Sequence, residues 1–412
     1  MRFYALTLIC IVIASLIILP PSLGKTKPFL DDYGNILPGS IAEKDFVDIN
    51  GASLGMFVMA KDESRPVILF LGGGPGIPEY FLEQKYPSGL EDEFVVCYLE
   101  YRGTSMSYSS NTSADTMTSE QYISDVVGVT NYLRERFGKD KIYLMAHSFG
   151  TYIGIQAAAQ HPELYHAYIS LAQIVDQLES EKTAYAYMID RYRAVGNEKM
   201  VKKFEDYPIF TSDDAYERYA ISSLRDAAMH DLGVGTTRDM RSVMSGIFFP
   251  SLRCTVYTPM ERINIWRGKM FAKNTAVVTD SMHFNAFEQV PSLKVPIYFF
   301  AGAYDYTCLY SLQKEYYAQI QAPLKGFYTF ENSAHSPLFE EPDKAIRLLT
   351  QDIVNGTNAI RPNTDLVSIM HANNEIGTIE PNKHSLWRDK ANLPGTKGSI
   401  NISPRYPAAG QL

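Results

Sequence analysis

The chain has 412 residues, 46% of them hydrophobic and 20% charged, a balance that excludes a disordered chain, a collagen-like repeat and a polytopic membrane architecture. Its 38 Lys and Arg against 46 Asp and Glu leave a net charge of -8, which disfavours a nucleic-acid partner. The cysteines, Cys10, Cys97, Cys254 and Cys308, show neither CxxC spacing nor a Cys/His ligand cluster, so neither a metal site nor a disulfide framework is expected.

Residues 3–19 form an uncharged apolar run behind Arg2, followed by Pro20, Pro21 and the stretch Ser22-Leu23-Gly24. One positive charge, an apolar core, a helix-breaking turn and then small residues is the order of a signal peptide. A run of 17 residues also lies at the short end of what spans a bilayer, so residues 1–24 are expected to be a signal peptide or an N-terminal membrane anchor. Either places the remaining chain outside the cytoplasm, secreted or attached at the outer face of the membrane through residues 3–19. The rival is a cytoplasmic protein with a buried N-terminal helix, but such helices rarely lack polar residues on every face.

From about residue 44 short apolar runs alternate with helix-length stretches. The runs 67–71, 94–99, 141–146, 167–171, 295–301 and 326–330 are nearly continuous in apolar character, as strands of a parallel sheet covered on both faces are. Residues 119–137 carry apolar residues at helical spacing and are expected to pack on that sheet. Residues 25–172 and 292–356 therefore read as one α/β core. Between 173 and 291 the alternation stops and Tyr, Met and Arg accumulate in helix-forming stretches, which reads as a helical cap inserted over the sheet. Residues 357–412 are polar and carry scattered Pro and Gly, the composition of a poorly ordered tail.

Chemistry concentrates at the ends of the predicted strands. Ala146-His147-Ser148-Phe149-Gly150 follows one strand and precedes a helix; small residues two before and two after a serine let the chain turn sharply and present the hydroxyl. A serine needs a base oriented by an acid, and where the serine sits on a strand-to-helix turn of an α/β sheet they follow in chain order Ser, then Asp or Glu, then His. Asp305 lies just past the strand at 295–301, and His335 just past the strand at 326–330. Of the eight histidines His335 alone has that order and position; His147 adjoins the serine but points elsewhere off the turn, and His161 and His166 flank the following helix. Gly72-Gly73-Gly74-Pro75-Gly76 follows the strand at 67–71, where glycines let backbone N–H groups approach a developing oxyanion. A phosphate loop is the rival, but the P-loop and dinucleotide spacings are absent and Pro75 lacks a donor.

Together GGGPG, the segment 98–103 (YLEYRG), AHSFG, AYD and SAHSPLFEEP resemble the α/β-hydrolase superfamily, nearest to proline iminopeptidase-like serine peptidases. The resemblance covers about residues 44–355. It implies an α/β-hydrolase fold, a mostly parallel sheet with helices on both faces and an inserted cap. It implies a catalytic Ser148, Asp305 and His335, oxyanion donors from the backbone of Gly74 and Phe149, and no cofactor. The sequence departs from that family's HGGPG, D-Q-R-G and G-x-S-W-G at Gly72, at Leu99-Glu100-Tyr101, at Ala146 and at Phe149, which puts N-terminal proline specificity in doubt. In that family cap carboxylates hold the substrate amine; the candidates are Glu179, Glu181, Asp190, Glu205 and Asp206. Arg102 reads as an anchor of its loop.

A second likeness, over 365–381, is to the H-x-N-N-E-x-G segment of cysteine desulfurases; without the Schiff-base lysine region and a phosphate cradle it implies no pyridoxal chemistry. The expectation is a serine hydrolase that cleaves a peptide, amide or ester bond in a small molecule or short peptide, an aminopeptidase first. The alternatives are a carboxylesterase-type hydrolase of small esters and a catalytically silent binding module.

Overall fold

The computed structural model describes residues 20–360, apart from positions 75, 208, 210, 211 and 221 and the side chains of 213 and 217. The apolar run 3–19 and the segment 365–381 lie outside the described residues. No helix among the described residues is long and apolar enough to cross a membrane.

An eight-stranded sheet runs in the order β1-β2-β4-β3-β5-β6-β7-β8. Its strands are β1 (Ile41–Ile49), β2 (Ala52–Ala60), β3 (Val67–Leu71), β4 (Val95–Leu99), β5 (Ile142–His147), β6 (Tyr165–Leu171), β7 (Ile297–Gly302) and β8 (Lys325–Phe330). β1 and β2 form an antiparallel hairpin, β2 pairs antiparallel with β4, and the remaining pairs are parallel. The hairpin turns on Asn50-Gly51, both at positive φ, the conformation of a two-residue primed turn whose twist matches its strands. Every residue of β3, β4 and β5 is buried, because successive side chains enter cores on opposite faces. In β3, Val67, Leu69 and Leu71 join one core and Ile68 and Phe70 the other.

The helices follow from their ends and faces. α1 (Tyr80–Lys85) follows the glycine loop. α2 (Ser119–Phe137) begins where the Thr118 hydroxyl accepts the Gln121 N–H and ends at the left-handed Gly138, burying Tyr122, Val126, Val129 and Leu133 against the sheet. α3 (Phe149–Gln160) follows β5 directly.

Between β6 and β7 lie α4 (Gln177–Ala194), α5 (Glu198–Glu205), α6 (Asp213–Ala220), α7 (Ser223–Asp231) and α8 (Pro259–Ala272). α4 to α7 share a core of their own, built on Tyr185, Tyr192, Phe204 and Tyr219. α8 opens with a capping box, Thr258 and Glu261 exchanging side-chain to backbone bonds, and packs against the loop at 105–107. After β7 come α9 (Tyr310–Gln319) and, past β8, α10 (Pro337–Glu340).

Candidate active site

Strand register sets the site. β3 pairs with β5 so that Leu71 faces Ala146, which carries the glycine loop alongside the β5–α3 turn. Ser148 sits in that turn at φ 52° and ψ -122°, a region costly for a residue with a side chain, by about 1–3 kcal/mol. The turn closes only over a glycine at 150: a Cβ there would lie 2.3 Å from the Leu71 carbonyl oxygen. β7 and β8 are neighbours, and the loops beyond them carry Asp305 and His335.

The structure brings these three side chains into one hydrogen-bonded line. The Ser148 hydroxyl lies 2.7 Å from His335 Nε2, and His335 Nδ1–H is shared between both Asp305 carboxylate oxygens at 3.1 Å. Asp305 Oδ1 also accepts the N–H groups of Thr307 and Cys308, each at 2.9 Å, so the carboxylate is fixed from two directions. An imidazole facing a hydroxyl on one nitrogen and an oriented carboxylate on the other can take a proton from the oxygen and stabilise the resulting charge.

The His335 backbone is held on every side. Its N–H donates to the Gly235 carbonyl, from the segment between α7 and α8, and its carbonyl accepts from His147 Nε2 at 2.7 Å. Glu340 accepts the N–H groups of Ala334 (2.9 Å) and Ser336 (3.2 Å), the residues on either side. Glu341 accepts the Ser333 hydroxyl and the Asn332 N–H. The two acidic residues of SAHSPLFEEP are thus clamps on the histidine loop, a role the sequence reading did not assign.

Beneath the serine lies a buried pair that sequence reasoning also missed. The His147 ring lines the cavity beside Ser148 and His335 and does not point elsewhere off the turn. It meets Glu79: Nδ1 stands 2.6 Å from Glu79 Oε1, and Gly73 N–H donates to Oε2 at 3.0 Å. Nε2 faces a carbonyl, which only accepts, so it carries a proton; with the Glu79 carboxyl held below its ordinary value and His147 raised, the arrangement favours a second proton on Nδ1 and an imidazolium against a carboxylate. Burial pushes the Glu79 carboxyl up, but the charge and hydrogen bond of His147 and the Gly73 N–H bring it below its ordinary value. For His147 burial works downward, and Glu79 together with the His335 carbonyl raises it.

Since Gly73 N–H is engaged by Glu79, the free donors near the serine are those of Gly74 and Phe149. Gly74 sits at φ 129°, which only glycine adopts readily, and its N–H makes no hydrogen bond among the described residues. Phe149 is the first residue of α3, where an N–H has no acceptor within the helix. Arg102, expected as an anchor, forms a bidentate pair with Asp125 at 2.8 and 2.9 Å. Its neighbour Tyr101 donates its hydroxyl to the Gly72 carbonyl at 2.9 Å.

A cavity of about 450 Å³ opens over Ser148 and His335, walled by the glycine loop and by α7, α8 and their connection. None of the cap carboxylates singled out from sequence lines it. Glu181 is buried against Arg225 at 2.8 Å, Asp190 and Glu205 pair with Arg193 at the surface, and Glu179 and Asp206 are not at the cavity wall. The carboxylate of the segment 173–291 that does line it is Asp226, held by Arg225 Nη1 at 2.9 Å. Its sequence signal was weak, since one Asp on a charged helix is normally solvated.

Comparison with known proteins settles the family. A family model described as alpha/beta hydrolase fold matches residues 66–342. The chain belongs to the α/β-hydrolase fold family. It is 31% identical over 308 residues to a probable aminopeptidase, YbaC, of Bacillus subtilis (strain 168), across 74% of this chain and 93% of that protein. A shorter match, 29% over 119 residues, covers 28% of this chain and 39% of the proline iminopeptidase PfmaB of Pestalotiopsis fici. The crystal structure of proline iminopeptidase from Mycobacterium smegmatis superposes with a TM-score of 0.51 at 15% identity, covering 76% of this chain and 98% of that one. VinJ gives 0.52 at 15% identity with the same coverages. At such identity these structures share the fold and nothing finer. Family membership and the peptidase-named relative make this α/β-hydrolase a hydrolytic enzyme.

Proposed function

We propose that the protein is an aminopeptidase-like serine hydrolase in which Ser148 is the nucleophile, His335 its general base and then acid, and Asp305 the group that orients the imidazole. Attack of Ser148 Oγ on the carbonyl carbon sends its proton to His335 Nε2 and forms an acyl-enzyme; the same proton leaves with the amine, and water repeats the sequence to free the acid. The N–H groups of Gly74 and Phe149 hold the oxyanion.

The observation that carries this reading is the 2.7 Å contact between Ser148 Oγ and His335 Nε2 at the floor of a cavity. Support for an amine-bearing substrate comes from Asp226 on the cavity wall and from the aminopeptidase name of the 31% identical relative. The test compares a prolyl and an alanyl arylamide, their N-acetylated forms and a short-chain aryl ester. Serine-dependent turnover of free-amine arylamides, lost on acetylation, is expected. Turnover of the ester alone would replace the aminopeptidase reading with an esterase.

We also propose that residues 1–24 stay attached as an anchor on the outer face of the membrane. In support, Pro20 O accepts from Arg262 Nη1 at 2.7 Å, Ser22 Oγ donates to Tyr257 O at 2.5 Å, and Leu23 N–H donates to Thr255 O. Cleavage within 22–24 would discard bonds that tie this segment to the body. The residues between 173 and 291 act, in this reading, as the cap that shapes the substrate site.

A further inference from the structure

The cavity over Ser148 carries more positive charge than its own carboxylates balance. Arg225 is committed to Glu181 and Asp226, and His147 to Glu79. Lys269 and Lys273 also line the cavity, and neither has a hydrogen-bond or ion-pair partner among the described residues.

Lys269 differs from its neighbours on α8. Arg262 is bound to the carbonyls of Cys254, Tyr257 and Pro20. Arg267 lies over the Tyr108 ring, 4.8 Å from its centroid, on the exposed side. Lys269 alone is half-buried and turned to the cavity. Its backbone cannot retreat: a Cβ on Gly76 would lie 2.9 Å from Lys269 Cα, and one on Gly268 would lie 2.7 Å from Thr104 Cα. The helix is therefore pressed against both the glycine loop and the loop after β4, with Lys269 packed on Gly76, two residues past the Gly74 donor.

An ammonium turned into a partly dry cavity, where the carboxylate facing it, Asp226, is already paired with Arg225, is costly, and burial lowers its pKa, only partly offset by Asp226. A ligand anion in the cavity removes that cost.

We infer that Lys269 receives a carboxylate of the substrate, so that the preferred substrates are short peptides whose free C-terminal carboxylate falls inside the cavity. This rests on the aminopeptidase-like reading of the Ser148 site and narrows it: the amine and carboxylate of a di- or tripeptide meet Asp226 and Lys269 on one cap. Lys273, exposed at the same wall, adds to the attraction without being fixed in place.

The test uses the full chain and three proteins: wild type, Lys269→Met, which keeps the stem and removes the charge, and Lys269→Arg, which restores charge. Each is assayed on dipeptides and on the same dipeptides amidated at the C-terminus. The expected wild-type preference for the free acid is about 10- to 100-fold in kcat/KM, the range of one charge-assisted hydrogen bond, and it collapses in Lys269→Met and largely returns in Lys269→Arg. Equal wild-type rates on acid and amide, or an undiminished preference in Lys269→Met, overturn the inference. A second arm needs no turnover: butyrate and butyramide are titrated calorimetrically into wild type and Lys269→Met. Butyrate binding that is at least several-fold weaker in the variant, with butyramide unaffected, supports the inference even if peptides prove not to be substrates. Butyrate binding equally to both overturns it, whatever the bond hydrolysed.

Discussion

Replacing Glu79 by Ala strands His147 beneath the nucleophile. Both side chains are buried, at 6% and 5% exposure, so solvent offers the stranded imidazolium little relief. Removing one member of a buried pair costs about 3–5 kcal/mol, and the Gly73 N–H left without its acceptor adds roughly 1–3 kcal/mol. His147 can shed its proton and keep Nε2–H on the His335 carbonyl, which holds the total near the lower end, about 4 kcal/mol. His147→Ala strands Glu79 in turn and frees the His335 carbonyl. The double variant removes both charges, so its cost falls short of the sum of the two single ones by at least about 2 kcal/mol. Urea unfolding of the four proteins measures that cycle. Both single variants should also lose roughly 10²-fold in kcat, because Gly73 and the His335 loop shift by fractions of an ångström against the serine. Single costs that add to the double within about 0.5 kcal/mol would refute the coupled ion pair.

Other consequences follow from the same geometry. Glu340→Ala leaves the N–H groups of Ala334 and Ser336 without an acceptor and lets His335 move; kcat should fall at least about 10-fold with a smaller change in KM, read by steady-state kinetics. Gly302→Ala would place a Cβ 1.8 Å from the Ala334 carbonyl oxygen; a loss above about 3 kcal/mol is expected, seen as a lowered melting point or no soluble protein. Burial pushes Glu100 up to about 7, from an ordinary 4.5. Its protonated form is favoured on folding, so this contribution is complete below pH 4.5 and is lost as pH rises through about 7, at up to about 1.4 kcal/mol per pH unit between those values. Glu100→Gln cannot ionise, its amide facing the Tyr257 hydroxyl and the Met106 N–H that donate to the Glu100 carboxyl, and it should flatten that part of the stability profile in melts from pH 5 to 8. On the proposed anchoring of residues 1–24, N-terminal sequencing of the expressed full chain should find residues 20–24 still present.

The parallel strands were legible because burial on two faces demands apolar residues at every position, as in β3 and β5. The β1–β2 hairpin was not read, though Asn50-Gly51 was its signal, because β1 buries only Ile41 and Val47 and lacks a continuous apolar run. Ser148, Asp305 and His335 stood out through their places just past strand ends, which chain order exposes. Glu79, Glu340 and Glu341 did not, because a carboxylate that clamps backbone N–H groups has no local pattern distinguishing it from a solvated one. Asp226 and Lys269 remained hidden for a related reason: each lies on a helix with other charges, and only the packing of α7 and α8 over the glycine loop decides which of them faces the cavity.

The central claim, that Ser148 is the nucleophile, is tested most directly by reaction with a serine-directed aryl phosphonate, followed by intact mass and peptide mapping. The account predicts one adduct per chain, on Ser148, formed at least about 10²-fold more slowly when His335 is replaced by Ala. No adduct, or an adduct on another residue at a rate indifferent to His335, would contradict it.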